Sequence, residues 1–267
     1  MRTFLIILIG IHGIIHLFGF LKAFDIAEFN AIAQPITKPL EVLRLLVFIL
    51  FLATAILLAT QYDYWWIIGT IAVLLSQLLI IIYWNDAKFG TIANVIILAP
   101  IVLAYATFSF TSNVNEEVGE MLVDSTTTSE RVVTEQTISG LPDIVQTWLI
   151  NCGTVGKEDI QSVYLVQEAQ MAMKPEHKEW IQARAEQYFT VEPPAFHWSV
   201  KLNMNPLISL VGRDKFEGGK GEMTIKLLSV VPVVNARNNK KVDQATLQRY
   251  LAEIVWFPSA ALSPYIT

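Results

Sequence analysis

Four long apolar stretches in the first 110 residues constrain this chain more than any other feature. They run over Thr3–Leu21, Leu43–Thr60, Tyr64–Tyr83 and Thr91–Phe110, each close to the roughly 20 residues a helix needs to cross hydrocarbon. Inside a bilayer every backbone polar group needs an internal partner, so runs of this kind span as helices. Arg2 precedes the first run, but Leu17–Phe24 offers no small-residue cleavage site, so the segment reads as an uncleaved helix and not as a signal peptide. The first and third connections hold Lys22, Lys38, Arg44 and Lys88, against Arg2 alone on the opposite side. The positive-inside rule then puts those connections in the cytoplasm and both chain ends outside it. The expectation is an integral membrane protein whose first partner is the lipid bilayer.

Past this region the character changes. Residues 1–112 carry five Lys/Arg and five Asp/Glu, and residues 113–267 carry fourteen and nineteen, which accounts for the net charge of −5. A mildly acidic polar half lacks the basic footprint that nucleic acid requires, so nucleic-acid partners are excluded. The single cysteine, Cys152, cannot form an internal disulfide. It reads as a small buried residue at a helix end, since no His or Asn motif accompanies it to make a reactive thiol.

Gln61-Tyr62-Asp63 leaves almost no connection between the second and third apolar runs, which predicts a tight antiparallel hairpin. Tyr64, Trp65 and Trp66 at that turn, and Tyr83 and Trp84 at the far end, suit a membrane interface, where one ring edge is wet and the body dry. Within the bundle His12 and His16 are four residues apart, hence on one helix face with Gly19. Two imidazoles at this spacing can share a metal, or one can ligate haem iron. They can equally hydrogen-bond to Ser76, Gln77 or Asn94 on neighbouring helices. No other cofactor is indicated, and a redox or metal role would centre on the two histidines, with Asp86 near a membrane face as a companion.

The polar half divides into a Ser/Thr/Glu-rich juxtamembrane linker at 111–140, with one helical turn near Glu116–Leu122, and a domain at 141–267. Leu141-Pro142-Asp143 opens a short helix with Ile144, Val145, Trp148 and Leu149 at helical spacing. Five strands of similar length follow, over Val163–Met173, Trp180–Thr190, Phe196–Met204, Leu207–Phe216 and Glu222–Val230. Pro and Gly breaks separate them, and such short connections imply an antiparallel meander. In the second strand Ile181, Ala183, Ala185 and Gln187 alternate with Gln182, Arg184, Glu186 and Tyr188, giving an apolar and a polar face. A last helix has Asp243 as N-cap and an apolar stripe of Leu247, Tyr250, Leu251, Ile254 and Val255, and ends at Pro258. The fold class is therefore a four-helix transmembrane bundle followed by an α+β domain, a curved antiparallel sheet with a packed helix.

Gly218–Gly221 has neither a following helix nor a Lys-Ser/Thr pair, so it reads as a hairpin turn and not a phosphate loop. Arg213-Asp214 and Glu217 read as a solvated rim, and Arg249 with Glu253, one helical turn apart beside Trp256, as a surface ion pair. His177 sits in a polar turn. His197 lies on the third strand beside Trp198, which faces the other side of the sheet.

Several segments resemble one uncharacterised bacterial family. They are Leu141-Pro142 with Trp148 and Gly153, the run Glu186-Gln187-Tyr188-Phe189-Thr190-Val191-Glu192-Pro193-Pro194-Ala195-Phe196, Gly212-Arg213-Asp214 and Gly219-Lys220-Gly221-Glu222-Met223. The long motif Leu247-Gln248-Arg249-Tyr250-Leu251-Ala252-Glu253-Ile254-Val255-Trp256-Phe257-Pro258-Ser259-Ala260 completes the match. The resemblance is to a domain of unknown function, often preceded by four membrane helices opening with a segment like His12-Gly13-Ile14-Ile15-His16. It implies a bacterial inner-membrane protein, supplies no activity, and implies further strands beyond Thr267, so that this chain would be C-terminally truncated.

Three functions fit. By architectural analogy with lipoprotein-carrier-like domains, the sheet domain would bind a lipid or other hydrophobic ligand. Trp180, Tyr188, Phe189, Phe196, Trp198, Trp256 and Phe257 would then include the lining of an apolar pocket, and Arg213, Arg249 and Glu253 join Tyr188, Phe196, Trp198 and Trp256 as candidate ligand-binding residues. Alternatively the bundle is an assembly or sensing module that packs against a partner membrane protein. The third is a redox or metal-dependent role for His12 and His16. No catalytic signature is present, and a non-enzymatic protein is the expectation.

Overall fold

The computed structural model describes residues 2–24, 26, 38–125, 131–172, 180–205 and 208–266; His177 lies outside the described residues. The chain divides into two compact units, Met1–Phe108 and Ser109–Thr267.

The first unit contains α1 (Arg2–Ala23), α2 (Lys38–Ala59), α3 (Trp65–Ile82), the single turn α4 (Trp84–Ala87) and the start of α5 (Gly90–Asp124). Four of these helices are long and apolar enough to cross a membrane, by length and composition, which marks an integral membrane protein. The unit is apolar on both sides: Ile7, Ile11, Ile14, Ile71 and Leu74 face outward, while Ile9, Val47, Phe51, Ala72 and Ile97 are buried. Where the surroundings are themselves apolar, close packing and polar contacts hold helices together, and small residues let backbones approach. Gly13 does this at the α1–α2 crossing, where a Cβ would come 3.0 Å from that of Phe51. Trp66 packs on Tyr105 and Phe108 at ring distances of 5.1 and 5.6 Å.

The fourth apolar run does not end at Phe110, and more than the one expected turn follows it. Helix α5 is continuous through Asp124. Val114, Val118 and Met121, at helical spacing, are all buried, and this packing outweighs the weak helix propensity of the Ser, Thr and Asn residues between 109 and 115.

In the second unit α6 (Glu135–Ile138) and α7 (Asp143–Asn151) precede a six-stranded sheet. Its strands are β1 (Ser162–Met171), β2 (Ile181–Thr190), β3 (Ala195–Asn205), β4 (Ile208–Glu217), β5 (Lys220–Leu227) and β6 (Val231–Ala236), in that spatial order and antiparallel throughout. The expected meander is present with one strand more. The β4–β5 hairpin turns through Gly218 and Gly219 at φ +54° and +76°, the backbone a two-residue turn requires. The predicted fifth strand, in contrast, breaks after Leu227, where Leu228 and Ser229 turn at φ +53° and +62°. Side-chain-bearing residues seldom adopt this conformation, so no turn signal marks β6.

Helix α8 (Lys240–Glu253) lies against β4 and β5. Its N-cap is Asn239, whose side chain accepts from the Lys241 amide at 3.0 Å, and not Asp243. Asp243, already in the first turn, instead accepts the Gly221 N–H at 2.9 Å and tethers the helix to the hairpin. The predicted stripe is covered only in part, with Ile254 packed against the core. Thr246 and Tyr250 are buried, whereas Leu247, Leu251 and Val255 are exposed. Tyr250, Phe189, Phe196, Phe216 and Phe257 form the aromatic core on this side. Cys152 is exposed, not buried, because α7 turns Leu149 inward.

Candidate functional site

Three polar constellations stand out, one in the helical unit and one on each face of the sheet. In the helical unit, His12 and His16 share a partner: the Ser76 hydroxyl lies 3.2 Å from His12 Nε2 and 2.8 Å from His16 Nε2. His12 Nε2 is also 2.9 Å from Asn94 Oδ1. Asn94 donates to Gln77 Oε1 at 3.0 Å, and Gln77 donates to Thr91 Oγ1 at 3.1 Å. The two imidazoles, which pack edge-on at 5.2 Å, thus link α1 to α3 and α5 through the residues expected from the sequence. Among the described residues no three His, Cys, Asp or Glu side chains gather as a metal site would require.

Beside this cluster is a cavity of about 410 Å³. Phe18, Leu79, Ile80 and Phe89 wall it, and His12, His16, Arg44 and Asp86 supply its polar groups. These residues come from the end of the unit where the first and third connections lie. Arg44 is held in place from two sides, 3.5 Å from Glu41 and stacked 4.1 Å over the Tyr83 ring. Gly19 makes room for this pair, since a Cβ there would collide with both side chains. The sequence marks Arg44 only by its position at the start of an apolar run, where a charge is costly.

In the second unit, alternation along β3 and β4 divides neighbouring polar residues between two faces. Trp198 pairs with Asp214 and His197 with Lys215. On the α8 face, Arg249 donates to Glu253 at 3.0 Å and to Asp214 at 3.1 Å. Its guanidinium stacks 5.0 Å over Phe196 and 4.9 Å over Trp198. The network continues from Trp198 Nε1 to Gln167 (3.0 Å), from Gln167 to Gln187 (3.1 Å) and from Gln187 to Glu253 (2.7 Å). Burial pushes the Asp214 carboxyl above the usual carboxylate range, partly offset by Arg249, Arg213 and His197. Burial likewise raises the Tyr250 phenol, whose hydroxyl donates to the Thr190 carbonyl at 2.9 Å. A polar string so completely paired within a core holds elements in register.

The opposite face carries Glu117 of α5. Its carboxylate is 2.9 Å from His197 Nε2, 3.4 Å from Arg213 and 3.8 Å from Lys215. Arg213 also sends both terminal nitrogens to Glu222 at 3.0 Å. The expected solvated rim is therefore no rim: Arg213 and Asp214 are both largely enclosed, on opposite faces.

The structure thus brings Phe196, Trp198, Arg249 and Glu253 together beneath α8. It puts Arg213 on the other face, along with Tyr188, which stacks on Tyr164 at 4.6 Å. Trp256 is half exposed, with its ring edge toward Phe189 at 6.2 Å, and Trp180 is exposed. Sequence reasoning missed Glu117, Gln167 and Lys215 because strand register and helix length, which bring them in, leave no mark at the residues themselves.

A family model matches residues 131–267, described as a family of unknown function (DUF6544), and the chain belongs to that family. No curated protein and no solved structure matches it.

Proposed function

We propose, with membership in a family of unknown function as the premise, that this integral membrane protein binds a polar-headed amphiphile in the cavity of its helical unit. The observation that carries this reading is the cavity of about 410 Å³, within the size range of small-molecule sites, with apolar walls and a few convergent polar groups. A chain already dissolved in lipid gains little by moving against Phe18, Leu79 and Ile80, because hydrocarbon is as apolar as leucine. Selectivity must therefore come from the head, where Arg44, His12 and His16 offer hydrogen bonds that lipid tails cannot. A head that accepts hydrogen bonds suits a guanidinium, which has donors only. In the orientation favoured by the basic connections, the cavity lies at the cytoplasmic end and the sheet domain is outside the cytoplasm.

A hydrophobic ligand on the sheet domain has less support, since Phe189, Phe196 and Phe257 are fully buried against the aromatic core and Arg249 is already paired. Mass spectrometry of lipids retained by the full chain after detergent exchange tests the proposal. Wild type is expected to retain an amphiphile that Arg44→Gln and His16→Phe release, while Tyr164→Ala on the sheet domain leaves it bound. An identical lipid complement in all four proteins, matching the bulk bilayer, would refute it.

A further inference from the structure

We infer that the cleft between α5 and strands β4 to β6 is a binding site for a phosphate- or carboxylate-type oxyanion. Phe110, Asn113, Val114 and Glu117 follow one another at helical spacing along α5. They close one side of a cleft of about 230 Å³ whose other side is Arg213, Thr224, Lys226, Pro232 and Asn235. Arg213 pairs with Thr224, and Thr224 with Asn235, across adjacent strands, so three polar side chains stand in one row across the sheet.

The distribution of charge shows which ligand this suits. Glu117 is met by His197, Arg213 and Lys215, and Lys215 also by Glu217 at 3.8 Å, so each of these carboxylates already has a cationic partner. The Arg213 charge is balanced in turn by Glu222. Lys226 is different. Among the described residues its ammonium has no carboxylate partner, and it lies 5.8 Å from the centre of the Phe110 ring. The charged residues that line the cleft, Glu117, Arg213 and Lys226, therefore sum to one positive charge. Around it are hydrogen-bond donors without side-chain partners among the described residues, the Asn113 and Asn235 amides, and the Thr224 hydroxyl, whose oxygen receives Arg213 at 3.5 Å. At about 30 Å³ of liquid volume per water, the space admits a phosphate-sized ion with part of its hydration. Charge-assisted bonds from a lysine and neutral amides are a common way to hold such an ion. This site is independent of the amphiphile cavity, shares no residue with it, and lies wholly within the second unit.

The source of the oxyanion could be free solute or a lipid head group, and one experiment separates them. The full chain is reconstituted in nanodiscs, and reductive methylation of each lysine is followed by mass spectrometry at constant ionic strength. Exposed Lys201 serves as the reference. An anion within a few ångströms raises a lysine pKa by about one unit or more, so Lys226 is expected to react about tenfold more slowly when the site is filled. In phosphatidylcholine discs, protection by inorganic phosphate but not by chloride supports a free anion. In phosphate-free buffer, protection by phosphatidylglycerol discs supports a head group. The Asn113→Ala/Asn235→Ala variant is expected to lose the protection while hydrogen exchange in β4 and β5 stays at the wild-type level. If Lys226 reacts at one rate under all these conditions, or if Lys201 slows equally, the inference is wrong. Persistence of the protection in the double variant would also overturn it.

Discussion

Replacing Arg249 by methionine tests the polar string beneath α8. The guanidinium serves two carboxylates, at 3.0 and 3.1 Å, and stacks on two rings. Breaking a fully buried pair by removing one partner costs about 3–5 kcal/mol, mostly the penalty of the charge left behind. Here the side chains of Arg249, Asp214 and Glu253 keep 27, 14 and 18% of their exposure, so solvent relieves part of that penalty. The lost cation–π contacts add about 0.5–1 kcal/mol, and about 2–3 kcal/mol is a fair total once solvent relief is counted. A chain with two units need not unfold in one step, so the assay should be local. Amide exchange of β3 and α8 in the full chain reports their opening free energy, and the expected change is about 30- to 150-fold faster exchange. Arg249→Lys should recover less than half of the loss, because an ammonium cannot reach two carboxylates in one plane while lying flat on two rings. Exchange within about threefold of wild type in Arg249→Met, under half a pH-independent tenfold step, would show that the string contributes no stability.

Two further substitutions address the same face. In Gly221→Ala the new methyl would lie 2.7 Å from the Val242 carbonyl and would collide with Thr246, so α8 must shift, at about 1–3 kcal/mol. Faster exchange in α8 would register this, and adding Thr246→Ala should not restore it, because the backbone obstacle remains. Asp214→Asn addresses pH. The native carboxyl titrates above its ordinary value of 3.8, so the folded state keeps a proton that the unfolded state has lost. Its contribution to stability is complete below that ordinary value and is lost as pH rises through the raised native pKa. Exchange in β4 measured across the acidic range should therefore show a pH-dependent decline in wild type that is shallower in Asp214→Asn.

Much of this architecture is legible before any coordinates. The helical spans declare themselves through length and apolarity, and the Gly-Gly hairpin through backbone chemistry. What stays hidden depends on contacts made elsewhere in the chain. The strand β6 hides behind Leu228 and Ser229, which take a glycine-like backbone without being glycine. The buried side of α8 is legible at Tyr250 and Ile254 but not at Thr246, which is buried although polar, while the apolar Leu247, Leu251 and Val255 are exposed. Arg213 and Asp214 look like a single charged rim in one dimension, whereas a pleated strand sends them to opposite faces. The histidine pair is legible together with its partners Ser76 and Asn94, because polar side chains are few in these apolar runs.

The bond joining His12, Ser76 and Asn94 carries a direction. An amide oxygen can only accept, and Asn94 is oriented by its own donation to Gln77, so His12 must carry its hydrogen on Nε2. Three donations then run in sequence through α1, α5 and α3, from His12 to Asn94, from Asn94 to Gln77 and from Gln77 to Thr91. Next to the two rings Ser76 retains a choice, since its single hydrogen can point to Asn94 Oδ1 or to His16 Nε2. In the first case His16 must donate from Nε2; in the second it must accept there. The tautomer of a ring that borders the cavity is thus set by the rotation of one hydroxyl, and a ligand that needs a donor from His16 selects between two rotamers of Ser76.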